Sequence, residues 1–302
     1  MFPASSANAT HATRTGTLFA LSAFLIWSGF PLYFKLVASI PASEVLGHRI
    51  VWSLLFVALL LALRGHWQGV REALTTPRLR RRLALSALLV SVNWLVFIWA
   101  IANDHVLDAS LGYFINPLVN VVLGVLLLGE RLRRMQWLTV LLALAGVGNL
   151  VWHHGTLPWI ALALAFSFGS YGLVRKQTPT DALSALFVET LLLAPLAVGY
   201  LVVLDLNGHG HFLRGPATTD GLLLLAGVLT ALPLLLFGGA ARRLQLSTLG
   251  LLQYTVPTGH FLLAVFVFGE LFTTAHAITF GAIWLALALY STDMLRARPP
   301  SA

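Results

Sequence analysis

Residues 112–130 read GYFINPLVNVVLGVLLLGE, and residues 252–270 read LQYTVPTGHFLLAVFVFGE. With an offset of 140, Pro117 falls on Pro257, Gly129 on Gly269 and Glu130 on Glu270. Both stretches are too apolar for the surface of a soluble helix. The same offset sets Gly29 on Gly169, and Lys35, which closes one apolar run, on Arg175, which closes another. A repeat of this length fixes the frame for every other reading. It divides the chain into halves of about 16–155 and 156–298. Residues 1–15 are small and polar and are expected to be unordered and cytoplasmic, and residues 299–302 form a short tail.

Composition agrees with the apolar repeat. Hydrophobic residues make up 58% of the 302 and charged residues 10%, against about 25% charged in soluble domains. The lipid bilayer is therefore the expected surrounding. A net charge of +8 would suggest nucleic acid in a soluble chain. Here the basic residues lie between apolar runs, where they set orientation, and no nucleic-acid partner is expected. The chain contains no cysteine, which excludes disulfides and thiolate metal sites. No cofactor or metal site is expected: His209 and His211 share a loop but have no carboxylate cluster to complete a shell. Arg14 is followed by a full-length apolar run without a cleavage site, so that run is expected to stay as a span.

A membrane helix needs about 20 mainly apolar residues. Ten runs qualify, near 16–38, 45–64, 83–103, 106–129, 136–152, 157–175, 182–204, 220–241, 246–269 and 274–295. With the N-terminus inside, sixteen of the 19 basic residues fall in cytoplasmic segments, leaving Lys35, Arg49 and Arg214 outside. Both termini are thus predicted cytoplasmic. Five spans per half make the second half inverted relative to the first, an arrangement of secondary transporters with a site near the midplane. The connection at 65–82 could lie on the anionic leaflet as an amphipathic segment or simply signal orientation.

Polar groups in hydrocarbon are costly, so each one present is a functional candidate. In the fourth span Gly112, Asn116, Asn120 and Gly124 recur every four residues, a stripe suited either to close helix packing or to a cavity wall. Pro117 frees the carbonyl of Tyr113, which something polar must satisfy, and this favours the cavity. The ninth span places Gln253, Tyr254, Pro257 and His260 in corresponding positions. Trp27 in the first span, and Asn93 and Trp94 in the third, lie deep and could clamp an apolar or aromatic solute. Pro31, Pro117 and Pro257 are candidate bending points. Gly129-Glu130 and Gly269-Glu270 read as helix endings.

Two ionisable residues occupy matching positions in the halves, Arg49 in the second span and Glu189 in the seventh. Inversion puts them at opposite depths, roughly 12 Å apart, so they are not expected to bond directly. Glu189 needs another partner or is neutral, and with His260 it is a candidate proton carrier.

These residues resemble the drug/metabolite transporter superfamily, and within it the EamA-type permeases associated with chloramphenicol resistance. The matching stretches are WSGFPLYFK, PASEVLGHRIVWS and NWLVFIWAIANDHVLDASLGYFINPLVNVVLGVLLLGERL, with QYTVPTGHFLLAVFVFGE in the second half. The resemblance implies an inner-membrane permease for a small molecule, its cavity built from the first, third, fourth, sixth, eighth and ninth spans. Trp27, Asn93, Asn116, Asn120, Gln253, Tyr254 and His260 would fall on cavity helices, and Arg49 and Glu189 would not. The drug in that label describes a phenotype and does not identify the natural substrate. An alternating-access exporter is the expected function. A membrane enzyme would need converging acids or a metal shell, a channel a ring of like residues, and a receptor would bind without net flux. Substrate, coupling ion and oligomeric state are left open by the residues.

Overall fold

The computed structural model describes residues 6–65, 67–102, 106–154 and 159–267, with scattered positions between 274 and 292. Among these the chain is all α. In order the helices are α1 (Ser6–Ser28), α2 (Phe30–Leu36), α3 (Ala42–Arg64), α4 (Trp67–Thr75), α5 (Pro77–Ala102), α6 (Val106–Leu128), α7 (Arg134–His154), α8 (Trp159–Gln177), α9 (Ala182–Leu206), α10 (Ala217–Ala241), α11 (Leu246–Gln253) and α12 (Thr255–Phe266). Four described segments are long and apolar enough to cross a membrane: Ala12–Leu36, Ala42–Arg64, Ala182–Leu206 and Ala217–Ala241. Most of the predicted tenth span, together with Gly269 and Glu270, lies outside the described residues.

Three boundaries differ from those read in the sequence. α1 begins at Ser6, so the helix runs through most of the stretch expected to be unordered. α5 starts at Pro77, where a proline suits the first helical turn, and its arginine-rich turns carry the helix beyond the apolar run. The connection before it folds as α4, whose Val70 and Ala73 are buried and whose Trp67 packs edge-on to Phe187 of α9 at 5.5 Å.

The predicted bending points fall in two kinds of place. Pro31 sits just after the break between α1 and α2 at Gly29. Pro257 follows the break between α11 and α12 at Tyr254. Pro117 lies inside the continuous helix α6, as do Pro195 in α9 and Pro233 in α10.

Helix packing repeats with the sequence. α6 packs on α8, as α1 packs on α11 and α12; α3 packs on α10, as α9 packs on α5; α1 packs on α10, as α8 packs on α5. The contacts of α3 with α9 and of α6 with α11 are their own images. Moving α1, α3, α5 and α6 by 140 residues therefore reproduces these pairs, whereas α4 has no helical counterpart. α7 touches the bundle chiefly through α6.

Candidate functional site

The stripe on α6 is a contact surface throughout. A Cβ on Gly112 would press on Ala161 and Leu164 of α8. Asn116 donates to the Ala165 carbonyl at 3.0 Å. The Asn120 amide donates both to Asn116 Oδ1 at 3.1 Å and to Gln253 Oε1 on α11 at 2.9 Å. At Gly250 a Cβ would stand 2.6 Å from the Pro117 carbonyl oxygen and 2.7 Å from Asn120 Cβ, so only glycine lets α11 approach so closely. Asn116, Asn120 and Gln253 thus form a buried polar seam between the halves. In the structure described here, the stripe packs against protein. Asn120 Oδ1 and the hydroxyl of fully buried Tyr254 lack hydrogen-bond partners among the described residues.

A second cluster surrounds Trp27. Its ring packs against Phe168 at 5.5 Å and Phe237 at 5.7 Å, and its carbonyl contacts the ring nitrogen Nε2 of His260 at 3.1 Å. His260 also meets Tyr113 edge-on at 5.4 Å. Asn93 donates to the Leu164 carbonyl at 2.9 Å and to Ser167 Oγ at 3.0 Å, tying α5 to α8. Trp94 turns towards Arg49, whose guanidinium carbon is 5.3 Å from the ring centroid. Trp27 and His260 therefore meet directly, while Asn93 and Trp94 face different neighbours.

Arg49 and Glu189 do not contact each other, as the depth argument requires. Arg49 is 8% exposed, and its Nε donates to Thr230 Oγ1 of α10 at 2.8 Å. Phe30 and Phe34 flank it, each with its ring centroid 5.7 Å from the guanidinium carbon. No carboxylate among the described residues lies within ion-pair distance. An ionised side chain at a helix centre costs about 2.5–3.5 kcal/mol on insertion scales, and cation–π contact offsets about 2 of that when desolvated.

Glu189 has the partner that the sequence left unnamed. Arg175 Nη1 lies 3.4 Å from Glu189 Oε1, and Ser86 Oγ donates to the same oxygen at 2.6 Å. Tyr171 stands beside the pair and couples electrostatically to both of its members. Arg175 reads in the sequence as an orientation residue. Its place in the last turn of α8, across a short connection from α9, was the available signal.

The helix ending at Gly129-Glu130 is a cap. Gly129 takes a φ of +65°, and Glu130 then accepts from Leu246 N at 2.6 Å, Ser247 N at 3.0 Å and Ser247 Oγ at 2.7 Å. An acid from one half thereby satisfies the first amides of α11 in the other. Lys176 reinforces this end, donating to the Leu244 carbonyl and lying 4.0 Å from Glu130. On the far side of the bundle Glu44 accepts from both the backbone and the ring of His211 at 2.7 Å.

Comparison with known proteins places this geometry. Residues 14–152 match the EamA-like transporter family. The chain is 51% identical over 283 residues to "Protein RarD" of Salmonella typhi, covering 94% of this chain and 96% of that protein. It is 42% identical over 290 residues to the "Uncharacterized transporter YojE" of Bacillus subtilis (strain 168), covering 94% and 96%. A solved crystal structure shares the fold with a TM-score of 0.71 at 19% identity, over 93% of this chain and 99% of the other. The chain belongs to the EamA-like transporter family and is a multi-pass membrane permease, not an enzyme.

Proposed function

We propose that the chain is a secondary transporter of the bacterial inner membrane, with ten spans in two inverted halves and both termini in the cytoplasm. It exports a small amphipathic metabolite or drug by alternating access around a midplane site. The observation that carries this reading is the symmetry of helix packing: the principal contacts of α1, α3, α5 and α6 with the second half have images under the 140-residue offset. Two inverted halves in one packing can exchange roles, opening first one face and then the other.

The chemistry of the seam suits such exchange. Asn120 and Gln253 are joined by a neutral hydrogen bond, worth about 0.6 kcal/mol on average between membrane helices. It can be replaced by water or solute at small cost. On the proposed orientation the cytoplasmic end is sealed here by the Glu130 cap, the Lys176 bonds and the Arg175–Glu189 pair. Trp27, Asn93, Trp94, Asn116, Asn120, Gln253, Tyr254 and His260 would line the path when the halves separate, with the breaks just before Pro31 and Pro257 and the proline of α6 as hinges. Of the two candidate proton carriers, His260 is the better placed, because Glu189 is already held by Arg175.

Flux of labelled amino acids and amphenicol drugs in proteoliposomes, with and without a pH gradient, tests the reading. Saturable flux that falls in the Asn120→Ala/His260→Ala double variant supports it. Binding without flux would leave a receptor.

A further inference from the structure

Resting on the transporter reading above, we infer that Arg49 is the anion-recognition group of the transport site. The substrate is an organic monocarboxylate with an apolar or aromatic body. Arg49 is more than nine-tenths buried, yet among the described residues its guanidinium has one hydrogen-bond partner, the Thr230 hydroxyl, and no acid. The acids that couple to neighbouring His48 are committed elsewhere: Glu44 to His211, and Asp220 to the Leu213 amide at 2.8 Å.

Fixing Nε on Thr230 leaves the two terminal amines of the guanidinium as a planar fork, the geometry that matches a carboxylate. The walls of the site are Phe30, Phe34 and Trp94, which suit an apolar body beside the charged head. Tyr33 and Tyr113 are close enough to couple electrostatically to the guanidinium. Tyr113 also touches His260, which joins Arg49 to the cluster around Trp27. A single positive charge selects a single negative one. Inorganic phosphate, a mixture of monoanion and dianion at neutral pH, has no apolar body for these rings and is poorly matched. The fork, its walls and Tyr113 come from α2, α3, α5 and α6 of the first half, and Thr230 of α10 in the second half holds the guanidinium in place.

The test uses full-length protein in detergent, with phenylacetate and hexanoate as probes and phenylacetamide, phenethylamine and inorganic phosphate as controls. Both carboxylates are expected to raise the unfolding temperature, and the three controls are not. Arg49→Met should weaken the carboxylate effect by about 10- to 150-fold, the range for hydrogen bonds to a charged group. Arg49→Lys keeps the charge but loses the fork, and should recover only part of the effect. Should Arg49→Met fail to fold, Arg49→Lys and Trp94→Leu carry the same test, each expected to weaken carboxylate binding. Equal carboxylate shifts in wild type and variants, equal shifts from the neutral amide, or no carboxylate shift at all would overturn the proposal. Counterflow in proteoliposomes separates the two readings. Carboxylate binding without flux keeps Arg49 as the anion site and removes the transporter. Undiminished flux of neutral or cationic solutes in Arg49→Met does the reverse.

Discussion

Arg49 and Glu189 stand at the same place in the two halves, 140 residues apart and each seven residues into its helix. Both are buried, and each bonds a hydroxyl carried by the other half, Thr230 for Arg49 and Ser86 for Glu189. The resemblance stops at charge. Glu189 is neutralised by Arg175, whereas Arg49 is met by aromatic rings. The repeat sets where a polar group sits, and the partner decides what it can do. A pair whose charges cancel within the protein can hold two helices together, while an uncompensated charge is available to a ligand.

The largest expected effect comes from breaking the complete pair. Glu189→Leu strands a buried arginine and should destabilise the protein by about 3–5 kcal/mol. The Arg175→Met/Glu189→Leu double variant should recover most of that loss, because no lone charge remains. Arg49→Met strands no acid and should cost about 2 kcal/mol or less. Thermal unfolding of all three in one detergent checks the order, and an Arg49→Met loss as large as that of Glu189→Leu would break the comparison.

Smaller effects probe the contacts between halves. Gly250→Ala drives a methyl group into the backbone at Pro117 and should cost about 1–3 kcal/mol by overpacking, visible as a lower unfolding temperature. Glu130→Ala removes the cap on α11 and should cost about 1 kcal/mol in the same assay. Asn120→Ala and Gln253→Ala should each cost less, with a coupling of about 0.6 kcal/mol in a double-mutant cycle.

Much of the architecture was legible in the residues because hydrocarbon imposes long apolar runs and a repeat leaves its spacing behind. Asn120 and Gln253 could be named as candidates, since amides are rare and costly in such runs. Their mutual hydrogen bond could not be read, because it depends on the rotation of α6 against α11. The Arg175–Glu189 pair was missed for a related reason. Arg175 lies at a helix end where basic residues serve orientation, and only the facing of α8 towards α9 turns it inward. Glu130 read as a helix ending, and the helix it caps belongs to the other half, beyond the reach of any local motif. The resemblance puts Arg49 on a span outside the implied cavity, yet its guanidinium meets rings from α2 and α5.

The most direct test uses the absence of cysteine from the chain. Asn120→Cys and Gln253→Cys together place two thiols across the seam, where a short, reducible bifunctional reagent can join them. With the protein in proteoliposomes and flux of a transported solute as readout, alternating access predicts that cross-linking stops flux and that reductant restores it. Undiminished flux through the cross-linked protein would contradict a mechanism in which α6 and α11 must part.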